Sequence, residues 1–313
     1  MSIFEKAFEK AGKEAGKEQA DPLFDSPDGL LNVPESLDGE VVPPGPGLAE
    51  GMDSGLWSET GPQTTGSGKQ VTLDLSRLRE AGLVDPRSSK SNRTTEQFRR
   101  IKRPLLLHVR GEGATVVDNA NMIMVTSALP GEGKTFTSIN LAMSIAMEMD
   151  KTVLLIDADV AKPDVTSRLG VDAEKGLIDV LLDDGLTLPD VLLRTDIPKL
   201  TLLPSGSRHV HSTELLASER MRQLTLELSS RYPDRIIIID SPPLLLTSEA
   251  RVLAGLVGQV VLVAEESRTP QHAVKEAIDM LDENEIVGIV LNKGSHRKDG
   301  DGYGGYGYYP YGQ

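Results

Sequence analysis

Cysteine is absent from the sequence, which excludes disulfide bonds and thiolate catalysis and permits a reducing compartment. Long apolar runs are absent too, since none approaches the ~18 residues that a membrane-spanning helix needs. The N-terminus lacks the uninterrupted apolar segment of a secretion signal. We therefore expect a cytoplasmic chain whose membrane role would depend on a partner or on a peripheral contact.

Basic residues are in the minority, with 33 lysines and arginines against 47 acidic residues and a formal net charge of −14. Such a chain is a poor binder of nucleic acids and anionic membranes over most of its surface. Hydrophobic residues make up 39% of the 313 residues, enough for a core but unevenly spread. The length allows one α/β domain of ordinary size together with a long extension.

The N-terminal part divides into a helical segment and a linker. Residues 1–18 predict a short amphipathic helix that either docks on a protein or stays frayed, because isolated helices of this length are marginal. Residues 19–93 predict a mostly disordered linker, rich in proline and glycine, with a short ordered island at 70–86. The apolar face of the first helix consists of Ile3, Phe4, Ala7, Phe8 and Ala11.

Residues 94–293 show the alternation of strands and helices that is typical of a doubly wound, mostly parallel α/β sheet. The sequence RTTEQFRRIKRPLLLHV predicts an amphipathic helix that Pro104 ends or kinks. Beyond residue 293 the chain is rich in glycine and tyrosine, and we expect a flexible tail at 294–313. The predicted strands are Asn121–Thr126, Thr152–Asp157, Leu200–Leu203, Arg235–Asp240, Gln259–Ala264 and Ile286–Leu291, and the clearest helices are Thr135–Met149, Thr213–Ser230 and Pro270–Asp282.

The stretch Ala128–Thr135 reads ALPGEGKT and lies between an apolar run and a helical pattern, which is the setting that a phosphate-binding P-loop requires. Its glycines allow backbone amides to converge on phosphate oxygens beside the positive end of the following helix. We expect Lys134 to reach the β- and γ-phosphates and the Thr135 hydroxyl to ligate Mg²⁺. Ala128 replaces the first glycine of the strict pattern. A glycine-rich turn without a ligand is the alternative.

Two apolar runs end in aspartate. Asp157 and Asp159 follow one run in KTVLLIDAD, and Asp240 follows another in RIIIIDSPP. In an open α/β sheet, ligands bind beyond the carboxyl ends of the strands. The sequence therefore predicts carboxylates that converge on a phosphate-bound Mg²⁺, whereas a lone aspartate at a strand end commonly caps the next turn.

Together these motifs resemble those of the bacterial tyrosine kinases, within the wider group of P-loop ATPases that includes ParA and MinD. ALPGEGKT, LLIDAD followed by Lys162-Pro163, and IIIIDSPP correspond to the family's Walker A, A′ and B motifs. The segments His211–Ser218 and Glu265–Val274 are similar to further parts of that family. Within it, MSIFEKAFEK and VTLDLSRLREAGLVDP resemble the extension of tyrosine autokinases from exosortase-associated exopolysaccharide loci.

Two features favour the kinase branch of this group. ParA- and MinD-type ATPases carry a second lysine early in the loop, where this chain has Leu129, and a glycine where it has Pro130. The kinase family also ends in a tyrosine cluster that is its own substrate, although a low-complexity tail without that role is the alternative. Five of the six tyrosines lie in the last eleven residues, as Tyr303, Tyr306, Tyr308, Tyr309 and Tyr311.

The resemblance implies an ATP-dependent protein-tyrosine kinase that uses Mg²⁺. Its implied catalytic residues are Lys134, Asp157 and Asp159, of which Asp157 accepts or orients the tyrosine proton and Asp159 shares the metal or the proton. The implied metal ligands are Thr135, Asp157 and Asp240. The implied nucleotide-binding residues are Gly131, Glu132, Gly133, Lys134, Thr135, Phe136 and Asn292, the last resembling the adenine-contacting asparagine of the wider ATPase group.

The chain departs from the family pattern at two places. An arginine usually stands two residues after the second A′ aspartate, where this chain has Ala161 followed by Lys162. The family's oligomer motif, Glu-x-x-Arg-x-x-Arg, appears as Glu96, Arg99 and Lys102, and a lysine cannot form the bidentate fork of arginine. These three residues predict an oligomer contact, with a solvated helix face as the alternative.

The resemblance also implies partners. The chain is expected to form a homo-oligomer that phosphorylates its own tail in trans, and to regulate exopolysaccharide synthesis or export. A separate, membrane-embedded polysaccharide co-polymerase would activate it and recruit it to the inner face of the membrane. The alternatives are a ParA- or MinD-like ATPase and a nucleotide-switched scaffold, both without kinase activity.

Overall fold

The computed structural model describes residues 69–88, 92–113, 116–231, 234–281 and 286–294. The predicted helix at 1–18, the linker up to residue 68 and the tail from residue 295 lie outside these residues, as do the five tail tyrosines. Within the described ranges, no helix combines the length and the apolar character that crossing a membrane requires.

Eight strands of the described residues form a single sheet. They are β1 (Lys69–Val71), β2 (Met122–Ser127), β3 (Thr152–Asp157), β4 (Leu193–Thr195), β5 (Leu200–Leu203), β6 (Arg235–Asp240), β7 (Gln259–Glu265) and β8 (Ile286–Asn292). Their order is β1-β4-β5-β3-β6-β2-β7-β8, and all neighbours are parallel except the antiparallel pair β4 and β5. The predicted doubly wound, mostly parallel sheet is therefore confirmed.

Helices cover both faces of this sheet. On one face lie α1 (Leu75–Glu80), α2 (Arg93–Val109), α3 (Lys134–Ala146) and α4 (Val165–Leu169). On the other lie α5 (Leu177–Leu182), α6 (Leu188–Val191), α7 (Ser212–Leu216), α8 (Glu219–Arg231), α9 (Ser248–Ala254) and α10 (Gln271–Asp279). Successive side chains of the central strands point to opposite faces of the sheet, and helices cover both faces. These strands are therefore continuous apolar runs.

The strand β2 shows how this pattern works. Met122 and Met124 pack in the core beneath α5–α10, whereas Ile123 and Val125 pack in the core beneath α1–α4. All six residues of β2 are buried, so no side of the strand needs polar residues. The same strand leads directly into the P-loop, which places that loop at the carboxyl edge of a rigid sheet.

The sequence analysis placed the start of the folded domain at residue 94. In the structure, residues 69–88 already belong to the sheet and its core. Residues 69–88 add strand β1 to the sheet and helix α1 to its α3 face. They bury Leu73, Leu78 and Val84 in the same core as α3. The sequence pattern predicts this ordered island but not its packing against the domain. A three-residue strand and a six-residue helix are too short for a periodic pattern to indicate what they pack against.

Helix α2 does not end at Pro104. The helix continues to Val109, and Leu105 and Leu106, which follow the proline, are buried against the sheet. Burial of these side chains offsets the loss of the hydrogen bond that a proline cannot donate. Of the two expectations for Pro104, an end of the helix is therefore wrong.

Candidate active site

The predicted P-loop connects β2 to α3 at the carboxyl edge of the sheet. Gly131 and Gly133 have φ angles of 83° and 100°, which lie in the left-handed region that favours glycine. Gly133 is also the residue from which α3 starts, and Lys134 and Thr135 are its first two helical residues. The loop amides and the helix N-terminus therefore meet at one point, the arrangement that binds phosphate groups.

Asn292 holds the loop from the end of β8. Its side-chain amide donates a hydrogen bond to the backbone oxygen of Glu132 at 2.9 Å. A Cβ atom on Gly133 would lie 2.0 Å from the same amide nitrogen, so any larger residue there would displace the Asn292 side chain, and the φ angle of +100° itself favours glycine. Asn292 thus contacts the P-loop, and its expected contact with adenine stays a prediction.

The buried carboxylate of Glu132 acts inside the loop rather than on its surface. It accepts a hydrogen bond from the backbone amide of Leu129 at 2.8 Å and another from the Thr269 hydroxyl. Lys293 adds a hydrogen bond to the backbone oxygen of Gly131 at 2.7 Å and an ion pair with Glu265. Residues at and after the ends of β7 and β8 therefore hold the loop conformation.

Thr269 and Lys293 are residues that the sequence analysis missed. Thr269 lies within the segment Glu265–Val274, whose only signal in the sequence is its resemblance to the kinase family. Neither residue belongs to a motif with a known spacing to the P-loop. Their role depends on the sheet order, because β7 and β8 lie beside β2 only in the folded sheet.

Lys134 is paired with Asp159. The two side chains form an ion pair at 2.5 Å, and both are largely buried. Asp159 also accepts a hydrogen bond from the backbone amide of Lys162 at 3.1 Å, which fixes the turn after β3. The structure thus brings the P-loop lysine and the second A′ aspartate into direct contact, a pairing that the sequence analysis does not specify, and the lysine must leave this partner to reach a phosphate.

Asp240 lies at the end of β6 and is fully buried. Its Oδ1 atom accepts a hydrogen bond from the hydroxyl of Ser138, one turn into α3, at 2.9 Å. Burial raises the pKa of this carboxyl to about 6, although the charge of Lys134 and the hydroxyls of Thr135 and Ser138 oppose that rise. Ser138 is another contact that the sequence analysis missed, and its spacing of four residues from Lys134 places it on the inner face of the helix.

Asp157 lies opposite Asp240 in the register of β3 and β6. Its Oδ2 atom accepts hydrogen bonds from the backbone amides of Asp164 at 3.2 Å and Val165 at 3.1 Å, at the start of α4. Burial, followed by the nearby charge of Asp240, raises the pKa of Asp157 to about 7. A carboxyl group with this pKa can accept a proton near neutral pH.

The chemistry of these residues fits a magnesium–triphosphate group. The Oδ1 atom of Asp157 and the Oδ2 atom of Asp240 are buried and lack a hydrogen-bond partner among the described residues. No three acidic or histidine side chains in the described ranges form a ready-made metal cage. Mg²⁺ suits such a site, since it takes one or two carboxylates and completes its shell with phosphate oxygens and water. Thr135, also buried, lies on the first turn of α3 within the same region.

Some predicted site residues lie elsewhere. The ring of Phe136 packs edge-on against Phe98 of α2, with ring centroids 6.3 Å apart, so its side chain belongs to the core and only its backbone is left for a nucleotide. Glu96 and Arg99 form an exposed ion pair on α2. Lys102 is buried and bonds to α3, so it is not on the same free surface as they are.

The chain is similar to known proteins in family model, in sequence and in structure. A family model described as an AAA domain matches residues 120–280, which include the P-loop and the three aspartates. Tyrosine-protein kinase YwqD of Bacillus subtilis is 31% identical over 229 residues, or 72% of this chain and 89% of YwqD. Tyrosine-protein kinase Wzc of Salmonella typhimurium is 34% identical over 193 residues, or 61% of this chain but only 26% of Wzc. The kinase domain of Escherichia coli tyrosine kinase ETK has a similar structure, with a TM-score of 0.53 and 33% identity over 60% of this chain and 73% of that domain.

Proposed function

The chain belongs to the bacterial tyrosine-protein kinases of the P-loop ATPase group, and from this premise we propose that it transfers the γ-phosphoryl group of ATP to tyrosine hydroxyls of its own tail. The observation that supports the proposal best is the pair of unpartnered carboxylate oxygens on Asp157 and Asp240, which lie beside the Lys134–Asp159 ion pair. Phosphoryl transfer depends on such positioning and charge neutralisation more than on covalent catalysis.

In this proposal, the P-loop amides and Lys134 hold the phosphate oxygens, for which Lys134 exchanges Asp159 for the nucleotide. Bound Mg²⁺ supplies charge neutralisation, with Thr135, Asp157 and Asp240 as the residues that would hold it. Asp157 accepts or orients the proton of the attacking tyrosine. A positioned base is needed because free tyrosine has a pKa of about 10.

The proposed acceptors are Tyr303, Tyr306, Tyr308, Tyr309 and Tyr311. The tail follows β8, whose last residue Asn292 contacts the P-loop, so its attachment point lies at the rim of the site. A stretch of about 15 residues reaches up to ~50 Å when extended, which is enough to enter the site of a neighbouring subunit. We therefore propose that transfer occurs in trans within a homo-oligomer, to which Glu96 and Arg99 contribute.

The wider role follows from resemblance rather than from the site. We propose that the kinase regulates exopolysaccharide synthesis or export from the cytoplasm. A separate, membrane-embedded polysaccharide co-polymerase would activate it and recruit it to the inner face of the membrane. The segment at residues 1–18 is the proposed docking element for that partner, and its deletion should abolish binding of the partner's cytoplasmic end.

The kinase proposal is tested by incubating the purified chain with Mg-ATP and locating phosphotyrosine by mass spectrometry. We expect phosphate on the tail tyrosines of the native chain and none on Lys134→Met. An ATPase of the ParA or MinD type would instead hydrolyse ATP without phosphotyrosine, and a scaffold would bind ATP but turn it over poorly. Absence of phosphotyrosine, with the activating partner present, would contradict the proposal.

Transfer in trans is tested by mixing two variants, one that lacks the acceptor tyrosines and one that lacks the catalytic lysine. A chain with all five tail tyrosines changed to phenylalanine keeps its site but has no tail acceptor, whereas Lys134→Met keeps its acceptors but lacks the lysine. We expect phosphate to appear on the tail of Lys134→Met only in the mixture. If the mixture stays unphosphorylated while the native chain is active, transfer occurs within one chain.

A further inference from the structure

Residues 69–88 form a segment that we call the strap, consisting of β1, α1 and the turn that follows to Ser88. The strap is held by its apolar side chains, of which Leu73, Leu78, Leu83 and Val84 are buried in the core shared with α3 and α4. It lies on the outer edge of the sheet, where β1 pairs with β4. Nothing in the P-loop or aspartate motifs requires this segment.

Asp196, in the turn between β4 and β5, closes the strap at both ends. Its Oδ1 atom accepts a hydrogen bond from the backbone amide of Leu73 at 3.0 Å. Its Oδ2 atom accepts one from the guanidinium of Arg87 at 2.6 Å, which is also an ion pair. One carboxylate therefore fixes the entry and the exit of the strap, and charge-assisted bonds of this kind are stronger than neutral ones.

The strap contacts α4 through its helix α1. The backbone amide of Asp74 donates a hydrogen bond to the oxygen of Leu169 at 3.4 Å, and the guanidinium of Arg77 donates one to the oxygen of Ser167 at 3.3 Å. Leu78 packs in the same core as Leu169. The strap thus covers the C-terminal end of α4, whereas the N-terminal amides of α4 hold Asp157.

The strap contacts α3 through Val84. The backbone amide of Val84 donates a hydrogen bond to the side-chain oxygen of Asn140 at 2.7 Å, in a buried position. Asn140 in turn donates to the backbone oxygen of Phe136 at 2.8 Å, one turn nearer to the P-loop. The bond from Val84 therefore ends on the helix that begins with Lys134.

We propose that the strap is a positioning element for phosphoryl transfer, because it braces the helix that carries Lys134 against the helix that orients Asp157. The proposal rests on the kinase function given above. The P-loop itself is fixed from the opposite side by Glu132, Thr269 and Asn292, so the strap acts mainly on the placement of Asp157. Asp196 is then a positioning residue in a turn outside the site.

The first test is Asp196→Ala in the full-length chain, which removes both closing bonds without touching the site. We expect kcat for tail phosphorylation to fall by about tenfold and KM for ATP to change less than about twofold, since a small misplacement of a reacting group costs rate more than binding. Hydrogen exchange of residues 69–88 and of α4 should accelerate together. The stability control is Leu228→Ala, a buried residue of α8 on the other face of the sheet, which should leave kcat per folded molecule unchanged.

The second test is a rescue by a disulfide that fastens the strap to α4. A Cβ atom on Gly170 would lie 3.1 Å from the Cβ atom of Asp74, about 0.7 Å short of the usual disulfide spacing of about 3.8 Å. The chain has no cysteine, so Asp74→Cys with Gly170→Cys introduces the only thiol pair. In the Asp196→Ala background we expect the oxidised protein to be several-fold faster than the same protein after reduction.

The comparison of oxidised and reduced forms of one protein removes the cost of placing a side chain at Gly170, whose φ is +68°. In the background that keeps Asp196, oxidation should change kcat little. Equal kcat for Asp196→Ala and the native chain, or equal rates before and after oxidation, would overturn the strap proposal while leaving the kinase proposal intact. A native chain without any phosphotyrosine would instead overturn the kinase proposal.

Discussion

At the scale of single residues, Asp157 is a site residue that lowers the stability of the fold when it is ionised. The side chain is buried beside a second buried carboxyl group, Asp240, and only one of its oxygens has a partner among the described residues. Its pKa of about 7 means that folding disfavours the ionised form. This group therefore lowers stability increasingly as the pH rises from about 4, the pKa of an exposed aspartate, to about 7.

The variant Asp157→Asn tests this sign. The new amide oxygen can still accept the bonds from Asp164 and Val165, and the side chain carries no charge. Without nucleotide or Mg²⁺, we expect the variant to be more stable than the native chain at pH 8 by roughly 2–4 kcal/mol, although kinase activity is lost. The difference in free energy of unfolding, measured by denaturant titration, should shrink at pH 5.5.

A matched change at an exposed position serves as the control for this experiment. Asp172→Asn removes an exposed carboxylate on the loop after α4 and should leave the free energy of unfolding at pH 8 close to that of the native chain. A loss of stability in Asp157→Asn at pH 8 would contradict the assignment of Asp157 as a buried group that is costly to ionise.

At the scale of elements, helix α2 presents two different faces within one predicted motif. Arg99 is partly exposed and pairs with Glu96 along the helix. Lys102 is buried, and its ammonium bonds to the backbone oxygen of Ser144 at 2.5 Å and to the carboxylate of Glu148 at 2.6 Å. A cation at this place satisfies the carbonyl end of α3, where the helix dipole is negative. Lys102 therefore joins two helices of one chain.

Because Lys102 is buried and Arg99 is partly exposed, we expect opposite effects from substitutions at the two positions. Lys102→Met keeps the length of the side chain but leaves Ser144 and Glu148 without their cation, so we expect a loss of about 1–3 kcal/mol in stability with an unchanged subunit number. Arg99→Ala should change stability little and weaken the oligomer. Thermal unfolding and analytical ultracentrifugation measure the two effects, and a Lys102→Met protein that is fully stable but monomeric would contradict this interpretation.

At the scale of the whole molecule, charge is the quantity that phosphorylation changes most. The chain already carries a formal charge of −14, and each phosphotyrosine adds about −1.5 to −2 at neutral pH. Several phosphorylated tails held close together would repel one another. We therefore expect the oligomer to loosen after autophosphorylation, and more so at low ionic strength because salt screens the repulsion.

The variant with all five tail tyrosines changed to phenylalanine tests this expectation. We expect the native oligomer to dissociate after incubation with Mg-ATP and the variant to stay assembled, as followed by light scattering. Lys134→Met, which keeps the tyrosines, should also stay assembled. If the phenylalanine variant dissociates as readily as the native chain, repulsion between phosphorylated tails is not the cause.

The fold class and the six main strands follow from the sequence alone, and so does the prediction of which residues would surround a phosphate group. Each of these depends on local patterns: valine- and isoleucine-rich runs, a loop of fixed spacing, and aspartates at strand ends. The aspartates Asp157 and Asp240 lie opposite one another because parallel strands end at the same edge, which the alternation of strands and helices already implies.

The contacts of that site with distant segments become visible only in the folded structure. The hydrogen bonds from Thr269 and Asn292 to the P-loop, and from Val84 to Asn140, join residues far apart in the chain. The burial of Lys102 and the packing of residues 69–88 against the domain likewise depend on contacts between distant segments. Short elements owe their stability to packing rather than to propensity, so no local pattern specifies their neighbours.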